Sequence, residues 1–121
     1  VENVNPEMPA TLDAAMLSKM SDRGQIKGAL IDGPLALDNA ISVEAAEHKG
    51  IKSPVAGRAD ILLAPDIEAG NILYKSMTYF AGGKNAGVVV GASVPIILLS
   101  RADTHLAKMQ SIALGLMMTS Q

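Results

Sequence analysis

At 121 residues, 49% of them hydrophobic and 18% charged, the chain suffices for one compact domain with a core, not for two ordinary ones, and its composition is not that of a disordered segment. The net charge of −2, with acids and bases interspersed, argues against a nucleic-acid surface, which normally carries a basic stripe. The absence of cysteine excludes disulfides, thiolate zinc sites and a cysteine nucleophile from these residues.

The opening Val1-Glu2-Asn3-Val4 reads like the end of a strand already under way, and a fragment of a longer protein is the expectation. A loop through Pro6 and Pro9 leads to Thr11, an expected N-cap, after which Leu12, Ala15, Met16 and Met20 share one helical face until Gly24. Residues 28–31 are a short apolar run broken by Asp32-Gly33-Pro34, the pattern of a strand closed by a turn. After a connector at 35–37, Asp38 offers a second N-cap for a helix through Ile41, Ala45, Ala46 and His48 that stops at Gly50. Residues 51–57 read as connecting loop.

Residues 60–75 hold the densest signal. Ile61 to Ala64 is an apolar run ended by Pro65, which has no N–H for a ladder, and the run suits a buried parallel strand. Asp66, Glu68, Gly70 and Asn71 lead into a helix marked by Ile72, Leu73, Met77 and Phe80 and closed by Gly82-Gly83. Residues 87–91 and 95–99 read as two further buried strands. Beyond the turn Ser100-Arg101-Ala102-Asp103-Thr104, the positions Leu106, Met109, Ile112, Ala113, Leu116 and Met117 mark the core-facing stripe of a long last helix. The seven methionines fit gap-filling between helices. Strands alternating with helices predict an α/β fold, a largely parallel sheet with flanking helices. No apolar run reaches a membrane span and no signal-peptide pattern opens the sequence, so a cytoplasmic setting without membrane contact is expected.

Three polar turns follow apolar runs: Asp32-Gly33-Pro34 with Asp38-Asn39, the Pro65 to Asn71 loop, and Ser100 to Asp103. On neighbouring parallel strands they would converge on one sheet edge, where ligands of open α/β sheets bind. The chemistry there would be recognition of an anion: Arg101 is a permanent cation with a planar fork, and two helix starts add partial positive charge. Ser100 could donate to an oxyanion. An equally weighted reading has Ser100 and Asp103 capping the last helix and Arg101 in a surface ion pair, and any strand-to-helix unit needs a polar loop such as 65–71. His48 and His105 lie outside any triad or metal spacing and read as solvent-facing. Gly82-Gly83-Lys84 follows a helix rather than a strand, unlike a P-loop.

The run from Ile31 to Ala40, the run from Ala59 to Asn71 with Tyr74-Lys75, and the run from Pro95 to Asp103 ending Ser-Arg-Ala-Asp together resemble the phosphate acyltransferases. Within that family they resemble the phosphotransbutyrylase branch rather than the acetyl-transferring one, over nearly the whole chain. The resemblance implies reversible transfer of an acyl group, butyryl or branched short-chain, between coenzyme A and inorganic phosphate, with coenzyme A a substrate and no permanently bound cofactor or metal. It also implies a dimeric two-domain protein of the isopropylmalate dehydrogenase type with its active site in a cleft. By this resemblance the catalytic residues are Ser100 as carbonyl donor, Arg101 as phosphate or coenzyme A anchor, and Asp103 as the nearest carboxylate. The substrate-binding residues are Asp32, Gly33, Pro34, Asp66, Gly70 and Asn71. The acetyl-transferring branch has an aspartate base about seven residues beyond the serine, where this chain has Ala107. Family members are more than twice as long, so residues 1–98 are expected to form the second domain and 99–121 a return segment and C-terminal helix of the first. Activity would then require the missing amino-terminal portion. The competing expectations are a non-catalytic, self-associating domain and a nicotinamide-dependent oxidoreductase of the isopropylmalate dehydrogenase fold.

Overall fold

The computed structural model describes residues 1–119 and contains five helices: α1 (Pro9–Asp22), α2 (Leu37–Ile41), α3 (Val43–His48), α4 (Ile67–Tyr79) and α5 (His105–Thr119). They fall into two compact units that divide after Pro65.

Local chemistry explains the helix boundaries. Pro9 occupies the first position of α1, where its missing N–H costs nothing. Thr11 is therefore not the N-cap but a buried residue inside the first turn. Its Oγ1 accepts from the Asn5 N–H at 2.9 Å and lies 2.8 Å from the Met8 carbonyl oxygen, fastening the preceding loop to the helix. The helix expected from Asp38 to Gly50 is interrupted at Ser42, whose backbone is extended and whose hydroxyl caps α3 by accepting from Ala45 N–H at 3.2 Å. Asp38 sits inside α2 rather than capping it. Asp66 does cap its helix, accepting from Ala69 N–H at 2.7 Å, and α4 is closed past its end by the Gly83 N–H to Met77 carbonyl bond and by Gly82 at φ 65°.

The expected α/β fold with its largely parallel sheet does not form. Among the described residues the only strand-like pairing is one antiparallel bridge between Val89 and Ile96, with the Val89 N–H bonded to the Ile96 carbonyl at 2.8 Å. The runs at 28–31 and 61–64 have no ladder partner among the described residues, and Ile61 and Leu63 are 84% and 83% exposed. An apolar run becomes a strand only where a second backbone takes its N–H and C=O groups. Residues 87–91 and 95–99 are separated by too few residues for a parallel crossover, which needs about a dozen, so they can only fold back on each other.

The last helix also presents a different face from the one its periodicity predicts. Leu106, Met109, Ile112, Leu116 and Met117 are 52–70% exposed, and Ala113 is exposed too. Instead Ala107, Ser111 and Gly115, four residues apart, are buried. A Cβ on Gly115 would lie 3.2 Å from Ile97 Cδ1 and 3.6 Å from Pro95 Cβ, so the 95–97 segment approaches the helix too closely for a large side chain. All seven methionines are exposed, against the expectation that they fill the core.

Ser111 is fully buried, and its Oγ accepts from the Gly87 N–H at 2.9 Å while donating to the Ala107 carbonyl at 2.7 Å. Ser111→Ala leaves the Gly87 N–H without that partner and should cost about 1–3 kcal/mol. A denaturant midpoint equal to that of the unmodified chain would show that this bond does not hold the 87–97 segment to α5.

Candidate functional site

In the first unit the turn Asp32-Gly33-Pro34 is set against α1. The Asp32 Oδ1 accepts from the Gly33 N–H at 2.8 Å and from the Ser18 hydroxyl at 3.3 Å. Gly33 is there for space, since a Cβ would sit 3.0 Å from the Ala14 Cβ. The Gly33–Pro34 peptide is cis. All three residues are half-buried, and Asp32 lines a cavity of about 390 Å³ bounded by α1 and residues 30–32 and 52–55. Lys52 and Ser53, which sequence reasoning left in a connecting loop, line the same cavity. Their signal was a cation and a hydroxyl directly before Pro54.

Next to this turn, Asp38 and Asn39 belong to a charged cluster. Lys49 Nζ lies 3.0 Å from Asp38 Oδ2 and 3.5 Å from Glu2 Oε2. Asn39 is fully buried, with its Nδ2 donating to Glu2 at 3.4 Å. The Lys49 hydrogen bond, helped by the Asn39 N–H, lowers the Asp38 carboxyl below its ordinary pKa, while Asp38 raises the Lys49 ammonium above its own. Asp38 therefore adds stability that is present above its ordinary pKa and is lost as the pH falls through the lowered one. Lys49 adds stability that is present below its ordinary pKa and is lost as the pH rises through the raised one. Both groups are solvent-exposed, so the effect is small and salt-sensitive. Lys49→Met should flatten the acid limb of a stability-against-pH curve, below about pH 4, and an unchanged limb would remove this pair from the acid response.

In the second unit, Asp66 is exposed at the start of α4, and the Gly70 N–H donates to its carbonyl at 3.1 Å. Asn71 is exposed in the same helix. The helix start expected to attract an anion already carries the Asp66 carboxylate. Around the last turn, the Ser100 N–H donates to Asp103 Oδ2 at 2.7 Å and the Ala102 N–H to Ser100 Oγ at 3.3 Å. Thr104, not Ser100 or Asp103, caps α5, with its Oγ1 accepting from the Ala107 N–H at 3.2 Å. Ser100 and Asp103 are thus brought together, and the Ser100 hydroxyl keeps its proton for another acceptor. Arg101 is exposed and enters none of the ion pairs among the described residues.

The strand edge on which the three turns were expected to converge is not formed among the described residues, and each turn is held by its own local hydrogen bonds. A second cavity, of about 330 Å³, is lined by residues 89–95, Met118 and Thr119 and includes none of the candidate residues. Both histidines are exposed. Among the described residues no cluster of three or more His, Asp or Glu side chains could hold a metal ion, and no helix is long and apolar enough to cross a membrane.

Residues 1–116 match the family described as phosphate acetyl/butaryl transferase. The chain belongs to that family. Similar members include the phosphate butyryltransferase of Clostridium acetobutylicum, 64% identical over 95% of this chain and 38% of the relative. The phosphate acetyltransferase of Thermotoga maritima is 60% identical over 95% of this chain and 39% of the relative. Among solved structures, a branched-chain phosphotransacylase from Enterococcus faecalis V583 superposes with a TM-score of 0.80 at 39% identity, over 96% of this chain and 41% of that one. The chain spans about two fifths of the length of the curated relatives it matches. The Ser-Arg-Ala-Asp run lies within the matched residues.

Proposed function

We propose that the protein containing this chain transfers a butyryl or branched short-chain acyl group between coenzyme A and inorganic phosphate. The observation that carries this reading is the family match over residues 1–116, with relatives named for phosphate butyryl and acetyl transfer. In the forward step a phosphate oxygen attacks the thioester carbonyl, the carbon–sulfur bond breaks, and coenzyme A leaves as the thiolate and takes up a proton. No acyl-enzyme is needed, because two substrates held in one complex react directly once oriented.

The Ser100 hydroxyl, its oxygen already fixed by the Ala102 N–H, donates to the carbonyl oxygen as negative charge develops there. Arg101, exposed and outside the ion pairs, holds the phosphate or a coenzyme A phosphate. Asp103 binds the Ser100 main chain through Oδ2, which leaves Oδ1 to exchange the thiol proton. Asp32, Gly33, Pro34, Asp66, Gly70 and Asn71 contact the substrates. The working protein is a cytoplasmic homodimer in which residues 1–98 belong to one domain and 99–121 to the other, and portions outside this chain complete the cleft.

The test is phosphate-dependent thiol release from butyryl-, isobutyryl- and acetyl-CoA by a protein of the relatives' length. Turnover should be greatest with the four-carbon substrates, and no phosphate-dependent release from any of them would refute the reading. The 121-residue chain assayed alone should show no turnover, whereas robust release would show that these residues already contain the whole site.

A further inference from the structure

Residues 95–104 are held to α5 at both ends. At one end, a Cβ on Gly115 would lie 3.2 Å from Ile97 Cδ1, 3.5 Å from Ile97 Cγ1 and 3.6 Å from Pro95 Cβ. At the other, Thr104 caps the helix by accepting from the Ala107 N–H at 3.2 Å. Between them the Ser100 turn is closed twice, by the Asp103 N–H donating to the Ser100 carbonyl at 3.1 Å and the Ser100 N–H donating to Asp103 Oδ2 at 2.7 Å. From Thr104 to Gly115 the helix rises about 16 Å, and residues 97–104, shortened by that turn, reach only about 20 Å. With so little slack, whatever shifts Ile97 against α5 shifts Ser100 as well. The strand end before Ile97 is fixed too: the Val89 N–H donates to the Ile96 carbonyl at 2.8 Å, and the Gly87 N–H donates to Ser111 Oγ at 2.9 Å, one turn before Gly115 on the buried stripe of α5.

Gly115 lies in the interior of α5, where only proline is less favourable than glycine. The helix itself gains nothing from it; the missing side chain makes room for Ile97. We propose that Gly115 is a positioning residue for the Ser100 turn: by admitting Ile97 against the α5 backbone, it sets where Ser100 and Arg101 stand relative to the helix. It acts through the Ile97 side chain and touches no substrate. Its consequence for turnover rests on the acyl-transfer reading, whereas its consequence for the placement of the turn does not.

The experiment uses a protein of the relatives' length carrying Gly115→Ala, alone and together with Ile97→Val. Alanine suits a helix interior, so the fold is kept. Its Cβ crowds Ile97 Cδ1, the carbon that valine lacks. Gly115→Ala should lower kcat for phosphate-dependent coenzyme A release from butyryl-CoA by about 10-fold while KM for butyryl-CoA changes by less than about 2-fold, because a small displacement of the turn costs orientation rather than binding. Adding Ile97→Val should bring kcat back to within about 2-fold of the unmodified protein, the coupling expected of two residues in direct contact. A residue that only stabilised the fold would not give a folded protein whose lost turnover is repaired by a smaller side chain at position 97. In the same proteins labelled with ¹⁵N, the amide resonances of residues 98–103 should shift with Gly115→Ala and return with Ile97→Val. Unchanged kcat in an active Gly115→Ala protein, no recovery on adding Ile97→Val, or resonances that stay in place would each overturn the proposal. Should the unmodified protein release no coenzyme A while the resonances still shift and return, the acyl-transfer reading fails and the placement of the turn by Gly115 stands.

Discussion

If Ser100 has the proposed role, Ser100→Ala in a protein of the relatives' length should lower acyl transfer by ~10² or more in turnover, the usual effect of removing one oxyanion donor, with a smaller change in the Michaelis constant for the acyl-CoA. The reason lies in the turn. Ser100 is exposed, its N–H is held by Asp103 at 2.7 Å, and its Oγ accepts from the Ala102 N–H. The hydroxyl hydrogen is left for another acceptor, and in the proposed role that acceptor is the substrate carbonyl, whose hydrogen bond would strengthen as it becomes an oxyanion. An effect on turnover rather than binding separates this role from a purely structural one. Ser100→Thr keeps the hydroxyl and should recover part of the rate. Unchanged turnover in the folded Ser100→Ala protein would remove this residue from the chemistry.

Gly57→Ala in the 121-residue chain should be the most damaging small substitution for stability. Gly57 has φ 78°, and an added Cβ would lie 2.6 Å from the Val43 Cα and 2.7 Å from the Val43 N. The obstacle is backbone at the start of α3, so no side-chain rotation relieves it. The turn cannot easily withdraw either, because the Gly57 N–H bonds to the Asn39 carbonyl at 2.8 Å and the Ala59 N–H to the Ala40 carbonyl at 3.1 Å. Left-handed strain and the collision together should cost about 3 kcal/mol or more. By contrast, Gly50→Ala, at φ 66° with nothing within 4 Å of the added carbon, carries the conformational term alone. Similar melting temperatures for the two variants would show that the 57–43 contact is not tight.

The features legible from the residues were those enforced within a few positions. Asp66 at the head of α4, the Gly82-Gly83 stop, and Gly24 and Gly50 at φ 69° and 66° after α1 and α3 follow from which side chains can reach a nearby N–H and which residues tolerate left-handed backbone. The family was legible too, because its three polar runs are strings of particular residues in order. Most of the features misread depend on remote partners; the Thr11 and Asp38 caps are local exceptions, since α1 opens at Pro9 and Asp38 lies inside α2. Periodicity marks the apolar stripe of α5 but cannot say whether anything packs on it, and close approach of residues 95–97 selects the small stripe through Gly115 instead. The apolar runs at 28–31 and 61–64 look like strands, yet a strand is a relation between two backbones, and among the described residues the structure supplies one only at Val89 and Ile96. Lys52 likewise looks like any loop lysine until folding sets it in the wall of the cavity that Asp32 also lines. Glycine stops, the Asp66 cap and family membership were thus fixed by the order of residues, whereas pairing, burial and shared cavities were settled only by which distant segments came to lie together.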